Sequence, residues 1–322
     1  MQYRWLGVFV LFLFTAACSP HFHIDFLGED DIQEVEIISA SSKDKILLMD
    51  ISGVIQNAMD TGFLNKEGDL LSQVKIRLQK ARQDPWVRGI ILRLDTPGGG
   101  VTASDILYHE IMSFRQDTGI PVTALMMGVA ASGGYYVASA CDTIIAHPST
   151  VTGSIGVISI FPSVKGLMDK VGVNVNIIKS GDMKDAGSPF RRMNVKDRDY
   201  FQSLITDFYG QFLDVVYQAR QDHLSRSELE KLADGRVFTA GQALEKGLID
   251  KIGYFDQAYE HVLDSAGIRT ARVIAYTYYP GRKTNIYAQA FLSRSRPSFP
   301  DLRSLLPTLQ AGFYYLWLPF NE

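Results

Sequence analysis

The chain has 322 residues, 46% of them hydrophobic and 21% charged, enough for one large globular core or two small ones and too apolar for a disordered chain. Its formal net charge is −3 and no basic block dominates, so the electrostatic footprint of a nucleic-acid binder is missing.

Residues 1–18 read as an export signal. Arg4 supplies the positive n-region, Trp5 to Phe14 an unbroken apolar run, and Thr15-Ala16-Ala17 the small residues that precede Cys18. The apolar run is shorter than the roughly twenty residues a membrane span needs. Ala-Ala-Cys resembles a bacterial lipoprotein processing site, at which Cys18 would be lipidated and become the new N-terminus. An uncleaved anchor and ordinary secretion are the alternatives, and leucine is commoner where Thr15 stands. The one other cysteine is Cys141, so lipidation of Cys18 leaves no disulfide framework. Within the apolar run Val137 to Cys141, that thiol is expected to be a small buried residue.

Residues 19–44 read as a polar linker, and 45–279 as one domain of alternating strands and helices. Lys45 to Ile51 is expected as a strand, Asp69 to Gln83 as an amphipathic helix, Gly89 to Leu94 as a buried strand and Thr102 to Gln116 as a helix. Val122 to Met127 (strand), Ser132 to Ala140 (helix) and Thr143 to Ala146 (strand) continue the pattern. The alternation predicts an α/β core. Lys196 to Asp222 follows as a long helix with Phe201, Leu204, Ile205, Phe208, Phe212 and Val216 on one face. Capping-box spacing marks two more helix starts, Ser225 to Glu228 and Thr239 to Gln242, with Gly247 placed to end the second. The tail, 280–322, mixes Arg282, Lys283, Arg294, Arg296 and Arg303 with aromatics and prolines and ends in the apolar stretch Gly312 to Phe320. A disordered arm, a membrane-surface contact and a strap over a neighbouring subunit are all open for it.

The chemistry concentrates in two glycine runs. Asp95-Thr96-Pro97-Gly98-Gly99-Gly100 lies between a buried strand and a helix, where backbone N–H groups can converge on a developing oxyanion. A tight turn needing positive φ is the plain alternative. The loop lacks a Gly-Lys-Ser/Thr ending and a GxGxxG pattern, so it matches neither nucleotide fingerprint. Ser132-Gly133-Gly134-Tyr135-Tyr136 opens a helix. There the serine is either a cap or a nucleophile whose product oxyanion meets the Gly133 N–H. A serine hydroxyl needs a base. His21 and His23 lie in or near the leader, His109, His223 and His261 on helix surfaces, and His147 stands just before Pro148 at a strand end. Lys184 serves as base if its amine is neutral; by itself it reads equally as a solvated surface lysine beside Asp182 and Asp185. No clustered ligand pattern implies a metal, and no cofactor is called for.

Taken in order, Thr96-Pro97-Gly98-Gly99-Gly100, Ala131-Ser132-Gly133-Gly134-Tyr135-Tyr136, Thr152-Gly153-Ser154-Ile155-Gly156 and Lys184-Asp185 with Ser188-Pro189 resemble the signal peptide peptidase A family of bacterial serine-lysine peptidases. The likeness runs from Lys45 to Gly267 and covers the single-domain, short form of that family. It implies a crotonase-like and Clp-protease-like spiral of repeated ββα units with additional helices. By the same resemblance, Ser132 is the nucleophile, Lys184 the general base, Ser154 the hydroxyl that orients the lysine, and the N–H groups of Gly99 and Gly133 the oxyanion hole. It also implies remnant signal peptides and unfolded envelope proteins as substrates, a ring-like homo-oligomer in which serine and lysine meet across a subunit contact, and membrane association with the catalytic domain outside the cytoplasm. Thr96 departs from the usual serine, and the lipoprotein-like leader from the usual spanning anchor. The competing readings are a Clp-like Ser-His-Asp peptidase using His147, a crotonase-type acyl-CoA enzyme, disfavoured by export because coenzyme A is cytosolic, and a non-catalytic envelope scaffold of the same fold.

Overall fold

A computed structural model describes residues 32–56, 70–278, 285–286 and 312–317. The expected export signal and Cys18 lie outside the described residues, as does most of the basic tail. Within the compact unit Ile32–Glu322, strands alternate with helices in chain order. They begin with β1 (Gln33–Ile38), β2 (Lys45–Ser52), α1 (Leu70–Gln83), β3 (Val87–Thr96), β4 (Gly98–Gly100), α2 (Val101–Thr118) and β5 (Val122–Ala131). Next come α3 (Gly133–Ala138), β6 (Thr143–Ala146), β7 (Val151–Gly153), β8 (Ile158–Ile160), α4 (Lys165–Val171) and a 3-10 turn (Asp182–Asp185). The unit closes with α5 (Val195–Arg220), α6 (Arg226–Leu232), β9 (Val237–Thr239), α7 (Ala240–Glu245), β10 (Lys251–Ile252), α8 (Phe255–Ala266), β11 (Arg272–Thr277) and β12 (Gly312–Leu316).

The main sheet runs β1-β11-β2-β3-β5-β6-β10, with β7 and β9 continuing from the far end of β5. It is parallel except where β1 meets β11 and β9 meets β7. Its central strands alternate between two cores, as a period of two requires. Leu47, Met49, Ile51, Ile90, Leu92 and Leu94 join the core that also holds residues of α1, α2 and α5, while Ile46, Leu48, Ile91 and Leu125 join one with Ala258, Val262 and Leu263 of α8. Both faces are covered, which is why these strands read as continuous apolar runs.

Two ββα units, β3-β4-α2 and β7-β8-α4, each send their second strand out of the main sheet into a smaller one of order β4-β12-β8. This is the α/β spiral of Clp-like and crotonase-like proteins expected above. The expected elements of the central domain are all present, and both capping boxes form, Ser225 with Glu228 and Thr239 with Gln242. A third, Asn194 with Asp197, opens α5. Of the expected α5 face, Phe212 and Val216 are buried and Phe201, Leu204, Ile205 and Phe208 half-buried. The segment read as a linker contains β1, whose irregular alternation gives little strand signal, and the apolar end of the tail forms β12.

On the α8 side of the sheet, Asp50 of β2 faces Arg93 of β3 in register, with two hydrogen bonds of 2.6 and 2.7 Å and side chains at most 6% exposed. Arg93 also donates to the Ile286 carbonyl. Removing one partner leaves a buried charge without its counter-charge, which costs about 3–5 kcal/mol. Asp50→Ala is therefore expected to lower the unfolding free energy by about that amount, read from chemical denaturation.

Candidate active site

The carboxyl ends of β3 and β5 are neighbours in the parallel sheet, so the loops that leave them converge, as ligand sites of open α/β sheets do. β3 leads through Pro97 into the glycines of β4, and β5 ends at Ala131, directly before Ser132. The loops meet closely because they lack side chains. A Cβ on Gly99 would lie 1.7 Å from the Ile55 carbonyl oxygen, and one on Gly133 2.4 Å from Ser104 Oγ and 3.1 Å from the Gly99 nitrogen. Gly98 has φ +94°, and its Cβ would come within 2.5 Å of the Gly133 nitrogen. Two backbone donors thereby come together beside the serine, an arrangement suited to stabilising an oxyanion. The alternative of a plain turn explains the positive φ of Gly98 but not the contacts of Gly99 and Gly133.

Among the described residues, Ser132 and Ser154 are the two non-glycine residues with positive φ, at 54° and 51°. Such backbone costs on the order of 1–3 kcal/mol and persists where the surroundings over-determine it. Here the determinants are visible. The Ser132 N–H donates to the Gly153 carbonyl at 2.7 Å, its own carbonyl accepts from the Tyr136 N–H at 2.9 Å, and the Ser154 N–H donates to the Arg236 carbonyl at 2.8 Å. Ser132 occupies the N-cap position of α3 but its side chain makes no cap hydrogen bond. The capping role considered for it from sequence is thus not the one it plays.

Both serines line one cavity of about 450 Å³. Its walls come from the β7–β8 segment, from Gln202, Ile205, Thr206 and Tyr209 of α5, from Ala233-Asp234-Gly235, and from Leu316 and Trp317. Ile205 was legible as part of an apolar helix face, and Leu316 and Trp317 as part of an apolar terminus, but nothing in sequence joined them to Ser132. Among the described residues, the lining contains no lysine, arginine or histidine. Its one ionisable carboxylate, Asp234, is hydrogen-bonded by Arg236, which lowers its pKa to about 2 and makes it a poor base. His147 does not line the cavity. Its Nδ1 lies 2.9 Å from Ser149 Oγ, and its ring meets Tyr254 edge-on at 4.6 Å.

Lys184 is exposed in the 3-10 turn and does not line the cavity either. Its turn is nonetheless firmly held. Asp185 accepts from Arg191 at 3.0 Å and from Lys179 at 2.7 Å, and Arg191 continues to Asp197 at the start of α5. The segment around Lys184 exposes large apolar side chains: Leu167 is 63% exposed, Ile178 fully exposed and Val195 73% exposed. Cys141 is buried, and burial pushes its thiol up to about 12, so it is inert at neutral pH.

The site has relatives. The sequence profile of peptidase family S49 matches residues 114–269. The chain is 32% identical over 251 residues to a putative signal peptide peptidase SppA of Enterococcus faecium, covering 78% of this chain and 72% of that protein. It is 33% identical over 233 residues to a putative protease of Synechocystis, covering 72% and 78%. To Protease 4 of Haemophilus influenzae it is 35% identical over 214 residues, 66% of this chain but 34% of that longer protein. A solved membrane-bound stomatin-specific protease superposes with a TM-score of 0.41 at 19% identity, over 68% of this chain and 84% of that one.

Two outcomes follow. Gly99→Ala is expected to drive a methyl into the Ile55 carbonyl, to lower stability by about 1–3 kcal/mol as overpacking does, and to cut turnover of the folded fraction, checked by thermal melts and peptide hydrolysis. Asp185 has its pKa lowered to about 2, first by the Arg191 hydrogen bond and then by Lys179. A depressed carboxylate adds stability above its unfolded pKa of about 4 and loses it as pH falls through the folded value. The stability difference between wild type and Asp185→Asn should therefore be constant above about pH 5 and shrink toward pH 2, measured by denaturation across that range.

Proposed function

Because this chain belongs to peptidase family S49, the family of signal peptide peptidase A, we propose that it is a serine-lysine endopeptidase acting on remnant signal peptides and unfolded envelope proteins. The observation that carries the reading is the pairing of a strained, uncapped Ser132 with two facing glycine amides. Ser132 Oγ attacks the peptide carbonyl while Lys184 Nζ, in its neutral form, takes the hydroxyl proton. The N–H groups of Gly99 and Gly133 stabilise the tetrahedral oxyanion, and the lysine then protonates the leaving amine. Water resolves the acyl-enzyme by the reverse proton route. Ser154, on the same cavity, orients the lysine amine.

Lys184 comes from a second copy. Among the described residues lining the cavity of one chain there is no base except the weak Asp234, whereas Lys184 stands outside it on a segment with exposed apolar side chains. Packing that segment against a neighbouring copy buries the apolar side chains and delivers the amine, and a ring of such contacts satisfies every copy. The export signal, with Cys18 lipidated, anchors the protein to a bacterial envelope membrane with domain 45–279 outside the cytoplasm. Among the described residues no helix is long and apolar enough to cross a membrane.

The test is hydrolysis of an unfolded protein and an apolar, signal-like peptide. Ser132→Ala and Lys184→Ala are each expected to lose at least about 10³-fold in kcat, as loss of a member of a nucleophile–base unit does, while His147→Ala stays near wild type. Mixing the two inactive variants should recover part of the activity, because a Ser132-bearing copy regains a lysine from its neighbour. Survival of activity in Lys184→Ala at neutral pH, or its abolition by His147→Ala, would assign the base elsewhere.

A further inference from the structure

β5 does not run evenly beside β3. The two strands pair residue for residue from Ile90 with Val122 to Leu94 with Met126, and then Thr96 pairs with Ala130. Asp95 alone therefore faces Met127, Gly128 and Val129, two residues more than an even ladder holds. At the same place β5 changes its other partner: residues up to Met126 pair with β6, and Val129 to Ala131 pair with β7. An even insertion keeps the alternation of faces, so Met126 and Ala130 both reach one core, but it bends the strand.

A bulge leaves backbone groups out of the ladder, and buried ones need other partners. Two side chains supply them. Asp95 Oδ1 accepts the Val129 N–H at 3.1 Å. On the opposite edge of β5, the hydroxyl of the buried Thr150 is shared between the carbonyls of Met126 at 3.0 Å and Met127 at 2.5 Å. Asp95 is itself fixed, since its own carbonyl accepts the Gly53 N–H at 3.0 Å. The fit is close: a Cβ on Gly128 would stand 3.4 Å from Asp95 Oδ1. From Val129 the strand runs on to Ala131, and the Ser132 N–H continues its pairing with β7 at the Gly153 carbonyl.

We infer that Asp95 is a positioning residue for the peptide hydrolysis described above, acting through the backbone of Val129 to Ser132. It does not line the cavity that holds Ser132, so its effect on the serine travels along the strand. Asp95 stands at the end of β3, from which the chain leads to Gly99, and its side chain braces the end of β5, which leads to Gly133. One side chain thereby sets the offset between the two loops. What the position requires is an acceptor oxygen at that point, for the Val129 amide, and not a negative charge. This rests on the reading of Ser132 as the nucleophile and of Gly99 and Gly133 as the oxyanion donors.

The experiment compares Asp95→Ala, Asp95→Asn and Asp95→Glu in the full chain, with Ser132→Ala as the blank, on an apolar, signal-like peptide. Asp95→Ala is expected to lower kcat about 10²-fold, the cost of a misplacement on the order of 1 Å, and to leave KM within about twofold, because the carboxylate touches no substrate. Asp95→Asn keeps an acceptor oxygen in place and is expected to stay within about fivefold of wild type. Asp95→Glu keeps the charge but moves the oxygen by a methylene, and is expected to lose at least about tenfold in kcat. Amide hydrogen exchange over residues 127–131 is expected to speed at least about tenfold in Asp95→Ala and little in Asp95→Asn, with residues 90–94 of β3 unchanged as the measure of intact folding. Should Asp95→Ala not fold, the contrast between Asp95→Asn and Asp95→Glu decides in its place. Wild-type kcat in a folded Asp95→Ala, unchanged exchange there, or an Asp95→Glu more active than Asp95→Asn overturns the proposal; the last outcome would make the charge the requirement. Exchange as expected, but with no hydrolysis above the Ser132→Ala blank even by wild type, would reject the acylation chemistry while leaving Asp95 as the brace of the bulge.

Discussion

Everything around Ser132 depends on two backbone loops approaching more closely than side chains permit. β3 and β5 are adjacent and parallel, so their ends lie side by side, but adjacency alone leaves room for Cβ atoms between the loops that follow. Gly98, Gly99 and Gly133 remove those atoms, and the backbone fills the space to within ordinary contact of Ile55, Ser104 and Tyr315. The close approach brings the Gly99 and Gly133 amides side by side. It also forces the turn at Ser132 into a conformation that serine resists, held by the Gly153 carbonyl on one side and by the first turn of α3 on the other.

The second sheet grows out of the same constraint. Because β4 and β8 are the outward strands of two ββα units, their edges face each other across a gap one strand wide, and β12 fills it. A sheet with two unpaired edges invites a strand, and the chain supplies one whose tyrosine reaches the core. The α5 helix closes the arrangement. Its Phe212 meets Tyr136 and Tyr315, so one aromatic cluster fixes α3, the long helix and the tail strand together.

Among the described residues the cavity holds two serine hydroxyls but no lysine, arginine or histidine, while Lys184 stands outside it, on a turn clamped by Asp185 and Arg191.

Much of this was legible in the sequence because it is local. The central strands and helices follow from apolar periodicity, Ser225, Thr239 and Gly247 mark helix ends through chemistry set within three or four residues, and the four ordered motifs from Thr96 to Pro189 carry the family likeness. The buried state of Cys141 followed from its apolar neighbours. β1 stayed hidden, since its pairing with β11 joins residues more than two hundred positions apart and its alternation is irregular. The tail's aromatic end could be seen but not placed, because nothing within six residues states that Tyr315 pairs with Gly99. By itself the sequence determined which residues have the chemistry and which segments become strand or helix, for those properties reside in side chains and short-range backbone preference. Only the tertiary structure decided which groups meet: that Ser132, Ser154, α5 and Trp317 share one cavity, that Lys184 stands outside it, and that β12 lies between β4 and β8. Proximity between distant segments is set by sheet order and packing, which no local stretch of sequence encodes.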